Sequence, residues 1–441
     1  MESKNTFILA DTEAFMRGEL DNVTVANNHI SLDLVQGGHV PYGCYTSPAV
    51  PMPLFDALRV SWNALTPPGT AVEAQARVLL DGNWTAWSSF GRWSPYIART
   101  GAAPLARGPL VLQPEYLSLD SKCSTQIQLR IYLYTKDDKC TPTVRLLAGS
   151  VRMVDVIPAG GRPIHTNLHL MPYAVARRAP MLRPVMDVAA CLAGLANRWW
   201  ADILPEELAL AMWDHQQDQS RRNLSFAAAA IGCWGFPAWV GWADLAQLRS
   251  EVRAGFGVLV ELQSTPAEQK RGLPPLRCAL LRGFENDAGA TLALLTDPFA
   301  APTDFECELS LPVDEFLVAW DNVALFMHKA VEKPGEGGPV RANTWVRHLP
   351  DDAPGLYRLF VNSAPHDLPP DFCGSEDAPT GVLAWSVPDP EPHATTAHRT
   401  LHFVEPEENG IRLARQGEQM QKCTVYAVDQ TGSMLVGDVT L

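Results

Sequence analysis

From Gln126 to Tyr134 apolar and polar residues alternate, with Ile127, Leu129, Ile131 and Leu133 on one side and Gln128, Arg130, Tyr132 and Tyr134 on the other. A period of two is that of a strand with one buried face. The pattern repeats more weakly in Val72-Glu73-Ala74-Gln75-Ala76-Arg77-Val78, and Pro67-Pro68-Gly69 and Asp81-Gly82-Asn83 punctuate it as turns. No stretch before residue 158 carries a convincing helical period. Residues 1–158 are therefore predicted to form a β-sandwich of several short strands.

The pattern breaks at Pro158-Ala159-Gly160-Gly161-Arg162-Pro163. Pro184 suits a first helical position, and Val185 through Trp199 is dense in alanine and leucine, which predicts a buried helix. Pro205-Glu206-Glu207 opens a second helix, with acids in the first turn to complement the dipole. Asn223 can cap a third through Ala227 to Ala230, and Asp244 to Ala254, stopped by Gly255, makes a fourth. Short apolar runs then follow at Val258–Leu262, Cys278–Leu281 and Thr291–Leu295, and these read as strands. Residues 159–332 are thus predicted to form an α+β domain with its helices on one side of a sheet. Lys333-Pro334-Gly335-Glu336-Gly337-Gly338-Pro339 reads as a linker. Residues 344–441, with strand candidates at Leu356–Phe360 and Cys423–Val428, are assigned to a small C-terminal β domain. The fold expected is multidomain.

Composition narrows the function. With 441 residues, two to four domains are accommodated. A net charge of −14 and no basic patch disfavour nucleic acid as a partner. No apolar run approaches the ~20 residues of a membrane span. The chain starts with a four-residue apolar stretch before Asp11, too short for a secretory signal, so a cytoplasmic location is expected. Nine scattered cysteines without a Cys-x-x-Cys pair read as reduced, buried thiols. No metal or cofactor is expected, and the oligomeric state is left open. His165 and His169 fall in an extended stretch, where four residues separate rings by ~13 Å. His393, His398 and His402 have no carboxylate in register. Gly235 and Gly283 are assigned to turns, and the pairs Arg177-Arg178 and Arg221-Arg222 to solvated surface.

Trp62, Trp84, Trp87 and Trp93 cluster in the first domain. Stacking on sugar rings is one use of them, and filling the sandwich core or covering its edge is the other.

The central segment resembles the papain-like cysteine peptidases of the bacteriocin-processing, double-glycine-leader type, in the bacterial branch with an N-terminal β-sandwich. The resemblance covers residues 165–325 and rests on the order of three stretches: Asn223–Ala230 with Gly235–Val240, the Asp244–Ala254 helix running into Gly257–Val260, and Leu280-Leu281-Arg282-Gly283-Phe284 followed by Thr296-Asp297-Pro298. The Trp62 to Pro95 segment is also similar to that branch's leading domain.

Such an enzyme needs a thiolate at a helix start, a histidine, an orienting carboxylate and an oxyanion donor. The resemblance puts the nucleophile's place on Met186, the base's on Cys278, the oxyanion glutamine's in Tyr173-Ala174-Val175, and the carboxylate's on Asp297. Met186 has no proton to lose, Cys278 cannot replace imidazole at neutral pH, and Ala174 and Val175 bring no amide side chain. Only Asp297 keeps its role. Cys191, five residues beyond Met186, is the alternative nucleophile of an active peptidase or acyl hydrolase. The expectation is a catalytically degenerate peptidase fold that binds a peptide or a cell-wall-derived glycan, the peptide lying extended between the Met186 helix and the Cys278 strand.

Overall fold

The computed structural model describes residues 4–330 apart from 68, 96, 98, 179–181, 202, 215–221, 288–289 and 301, and beyond them the backbone of seven strands between 343 and 440. The alternating segments become long antiparallel strands: Val50–Leu65, Thr70–Leu80, Ser124–Thr135 and Thr143–Met153. Asp81 (φ 50°) and Gly82 (φ 80°) both adopt the left-handed region that closes a two-residue hairpin between Leu80 and Asn83. The first half of Val50–Leu65 pairs with Ser124–Thr135, and the second half pairs with Thr143–Met153. One shared strand thereby joins both sets of strands into a single continuous sheet, where short strands in separate sheets were expected. Strand length is the reason: at 16 residues Val50–Leu65 is long enough to pair with one neighbour along its first half and with another along its second.

Trp62 and Trp93 lie at 0% exposure, and Trp62 meets Phe226 edge to face at 6.1 Å. They are core side chains, so of the two uses weighed for them sugar stacking does not apply to Trp62 or Trp93.

The central segment builds an antiparallel sheet in the order Ala238–Trp242, Trp320–Met327, Val258–Gln263, Leu276–Asp287, Ala290–Thr296, Glu308–Pro312. The helices form where their caps predict: Asn223 accepts from the Phe226 N–H, and Asp244 from the Gln247 N–H. Leu245, Leu248 and Val252 of the Leu245–Arg253 helix pack on Val258, Val260, Leu262, Ala279 and Leu281. By strand alternation Leu259, Glu261, Cys278 and Leu280 face the other way, toward the Arg183–Asn197 helix, whose Gly194 lies against Leu280. Helices thus cover both faces and not one. Gly283 also departs from expectation. It sits within a strand at a bulge, and a Cβ there would collide with the Thr166 carbonyl.

The chain divides into two units, Met1–Ser94 with Arg99–Gly338, and Pro95–Ala98 with Pro339–Leu441. The composition break near 158 lies inside the first unit, and the linker residues 333–339 lie outside the described ones. Polar groups stitch the two sheets of the first unit together. Asn63 donates to the carbonyls of Ala228 and Ala238 and accepts from the Ala238 N–H, while Ser61 accepts from Val240 and Ser225 donates to Val60. In the second unit, strands Leu356–Asn362 and Lys422–Val428 form where alternation places them; His393 and His398 lie outside the described residues, as does the side chain of His402.

Candidate functional site

The Arg183–Asn197 helix carries one acid, Asp187, in an otherwise apolar run, and that residue reaches the Leu276–Asp287 strand. Pairing with Ala290–Thr296 starts only at Leu280, so the Cys278 N–H has no ladder partner on that side. Asp187 Oδ2 accepts it at 2.7 Å. The helix residue that hydrogen-bonds the strand is therefore Asp187, while Met186 beside it is fully buried.

Arg222, just before the Leu224–Gly232 helix, enters the same space. Its Nη2 donates to Glu261 Oε1 at 2.7 Å and lies 2.6 Å from Cys278 Sγ, and its Nη1 stands 4.0 Å from Asp187 Oδ2 and donates to the Leu276 carbonyl. Arg222 is 9% exposed, Glu261 3%, Asp187 2% and Cys278 0%. Two corrections follow. Arg222 is not a solvated arginine, and the path expected for an extended peptide beside Cys278 is closed by a guanidinium between two carboxylates.

Asp297 is held from the opposite side of the strand. Its Oδ2 accepts from Arg277 Nε at 2.8 Å, its Oδ1 from the Phe299 N–H, and Arg277 continues to Ser264 and Glu268. Neighbouring strand residues point to opposite faces, so the carboxylate orients Arg277 and leaves Cys278 alone. A one-residue difference in register decides this. At the oxyanion position the backbone donors are occupied: Ala174 N–H by Asp304, and Val175 N–H by the Pro298 carbonyl.

The thiols are poor nucleophiles for a common reason. Burial, reinforced by Asp187 and Asp297, pushes Cys191 well above the usual thiol range. Burial also raises Cys278 well above it, against the pull of Arg222. Cys307 is pushed up to about 12. Among the described hydrogen bonds none joins a histidine to a cysteine. His165 and His169 are exposed, and His328 is bound to Glu251.

Burial likewise pushes the Glu261 carboxyl up from 4.5 to about 7, opposed by Arg222. Between pH 4.5 and about 7 the folded chain then holds a proton that the unfolded chain has lost. Stability from this group is complete below that window, declines as pH rises through it, and is level above. Urea unfolding at pH 5.5 and pH 8 is expected to show a loss of the order of 2 kcal/mol at the higher pH, with Glu261→Gln flattening the profile. Equal slopes in both proteins would remove Glu261 as the source.

Sequence reasoning named Asp297 and Cys278 as site positions and gave no such place to Asp187, Arg222, Glu261 or Arg277. A signal existed for two of them: Asp187 and Glu261 are single acids inside apolar runs, and a buried acid requires a cation.

A family model described as the peptidase C39 N-terminal domain matches residues 9–151, less than half of the chain. The N-terminal sheet is similar to that domain, and the match stops short of the segment on which the papain-like reading rests. No curated protein matches. Among solved structures, one of infectious bursal disease virus, Gx strain, is similar at 15% identity and a TM-score of 0.20, over 34% of this chain and 32% of that chain. A likeness that low carries no argument, and this chain spans only about a third of that one. Among the described residues no helix is long and apolar enough to cross a membrane.

Proposed function

We propose that this protein is a non-hydrolytic relative of the C39-type cysteine peptidases, in which the place of the catalytic groups has become a buried ionic core and function has passed to binding. The observation that carries the reading is Arg222. Where a thiol peptidase needs an imidazole beside a thiolate, the chain places a guanidinium, with no proton to exchange at neutral pH, between Glu261, Cys278 and Asp187. The N-terminal match to a peptidase C39 domain supports the kinship. The residues Ala174 and Val175 support the loss of activity, because neither side chain carries the amide that would donate to an oxyanion.

Thiol labelling of the intact chain tests this. Cys123 is exposed and is expected to react with iodoacetamide at the rate of a free thiol, whereas Cys191 and Cys278 should react at least ~1000-fold more slowly because both burial and a raised pKa suppress the thiolate. Fast stoichiometric labelling of Cys191, or peptide hydrolysis abolished by Cys191→Ala, would establish the active-peptidase alternative.

A further inference from the structure

The central sheet ends on the Glu308–Pro312 strand, which pairs on one side only, with Ala290–Thr296. Just beyond the Thr296–Glu308 pair the Asp297 N–H donates to the Cys307 carbonyl. A bond at that place makes Thr296–Glu308 a non-hydrogen-bonded pair, and by alternation Leu294–Ser310 and Leu292–Pro312 as well. The N–H and C=O of Glu308 and Ser310 therefore point away from the sheet, and Pro312 ends the edge with a carbonyl and no N–H. Among the described residues nothing bonds to these outward groups. Such an edge is a template for one more strand.

Charge decides which strand fits. From Asp304 to Trp320 the chain carries five acids and no lysine, arginine or histidine. Two of the acids are already paired: Arg178 holds Asp304 at 3.3 Å and Arg282 holds Glu308 at 3.0 Å. Glu306, Asp314 and Glu315 are exposed and make no ion pair among the described residues, although Glu306 also accepts from the Thr303 hydroxyl. They stand at the two ends of the edge, Glu306 two residues before the strand and Asp314-Glu315 in the first turn of the Val313–Ala319 helix that follows it. Between them Leu309 and Leu311 lie on one face, half-buried against the core, and Ser310 lies on the other.

We propose that this edge takes up an extended basic peptide as a further strand. Its backbone would pair with Glu308 and Ser310, its apolar side chains would lie beside Leu309 and Leu311, and a lysine or arginine at either end would meet Glu306 or the Asp314-Glu315 pair. A second copy of the chain fits poorly. Antiparallel pairing of two copies about Ser310 would set Glu306 of each opposite Asp314 of the other, and like charges directly opposite oppose pairing. That repulsion guards the edge against self-association and leaves it open to a partner of opposite charge. The inference does not rest on the non-hydrolytic reading, because the edge lies two strands from Cys278, and its test is separate from thiol labelling.

Fluorescence anisotropy of the full chain with a labelled peptide is the experiment. The probe has five alternating valines and threonines between two lysines at each end, and is compared with the same peptide carrying glutamates for lysines and with one N-methylated along the valine-threonine stretch. The lysine peptide should bind, weaken as salt rises, and lose roughly tenfold in affinity to Ser310→Pro, which removes an outward donor and spares the bonds to Ala290–Thr296. Asp314→Asn combined with Glu315→Gln, both at exposed positions, should weaken binding roughly threefold and repeats the test if Ser310→Pro fails to fold. No binding of the lysine peptide, equal binding of either control peptide, or affinity indifferent to these substitutions overturns the proposal. So does a dimer in sedimentation velocity that Ser310→Pro dissociates, which would give the edge to a second copy.

Discussion

Arg222→Met is expected to destabilise the folded chain by about 3–5 kcal/mol, because it strands Asp187 and Glu261 in a space from which water is excluded. Urea unfolding followed by tryptophan fluorescence reads the loss directly. The effect should be greater at pH 8 than at pH 5.5, since a carboxyl with a raised pKa escapes part of the penalty by keeping its proton. Combining the substitution with Glu261→Leu should restore part of the stability, as removing both partners of a buried pair costs less than removing one. A loss below ~1 kcal/mol in the single variant would mean that the two carboxylates find other cations or water, and that Arg222 does not organise the former catalytic place.

Asn63→Leu is expected to cost a similar ~3–5 kcal/mol by a different route. Leucine is close in size but leaves both polar groups of Ala238 unpaired at a dry seam, each at about 1–3 kcal/mol, and removes the bond to the Ala228 carbonyl. The seam cannot relax easily, because Gly232 lies so close that a Cβ there would come within 2.6 Å of the Asn63 Cβ. Since Asn63 joins the N-terminal sheet to the central helices and strands, its loss should also split one unfolding transition into two in differential scanning calorimetry. A single unshifted transition would show that the apolar contact of Trp62 with Phe226 suffices to hold the seam.

Where a residue's environment is local, sequence reading succeeds. The caps at Asn223 and Asp244, the Asp81-Gly82 turn and the alternation through Gln126–Tyr134 each depend on groups within a few residues, and each element forms there. The site is legible only as a neighbourhood. Resemblance led to the start of the Arg183–Asn197 helix and to the Cys278 strand, yet Asp187 stands where Met186 was expected and Arg277 meets Asp297 where Cys278 was expected. A one-residue shift is invisible in a one-dimensional pattern but turns a side chain by about 100° on a helix and reverses it on a strand. Arg222 was less accessible still. As half of an Arg-Arg pair beside an unremarkable cap it carries the mark of solvent, and its burial arises from Glu261 and Cys278, many residues away in the chain.

Taken by itself, the order of residues determined the elements: strand periodicity, helix starts and stops, the surplus of acid and the absence of an imidazole from the positions the resemblance marks. Tertiary structure decided the rest. It buried Trp62 and Trp93 while leaving Trp84 and Trp87 beside the Arg77 guanidinium, and it drew Asp187, Arg222 and Glu261 into one dry space. The physical reason is range. Torsional preference and capping act over a few bonds, whereas desolvation and charge pairing depend on which distant segments exclude water together.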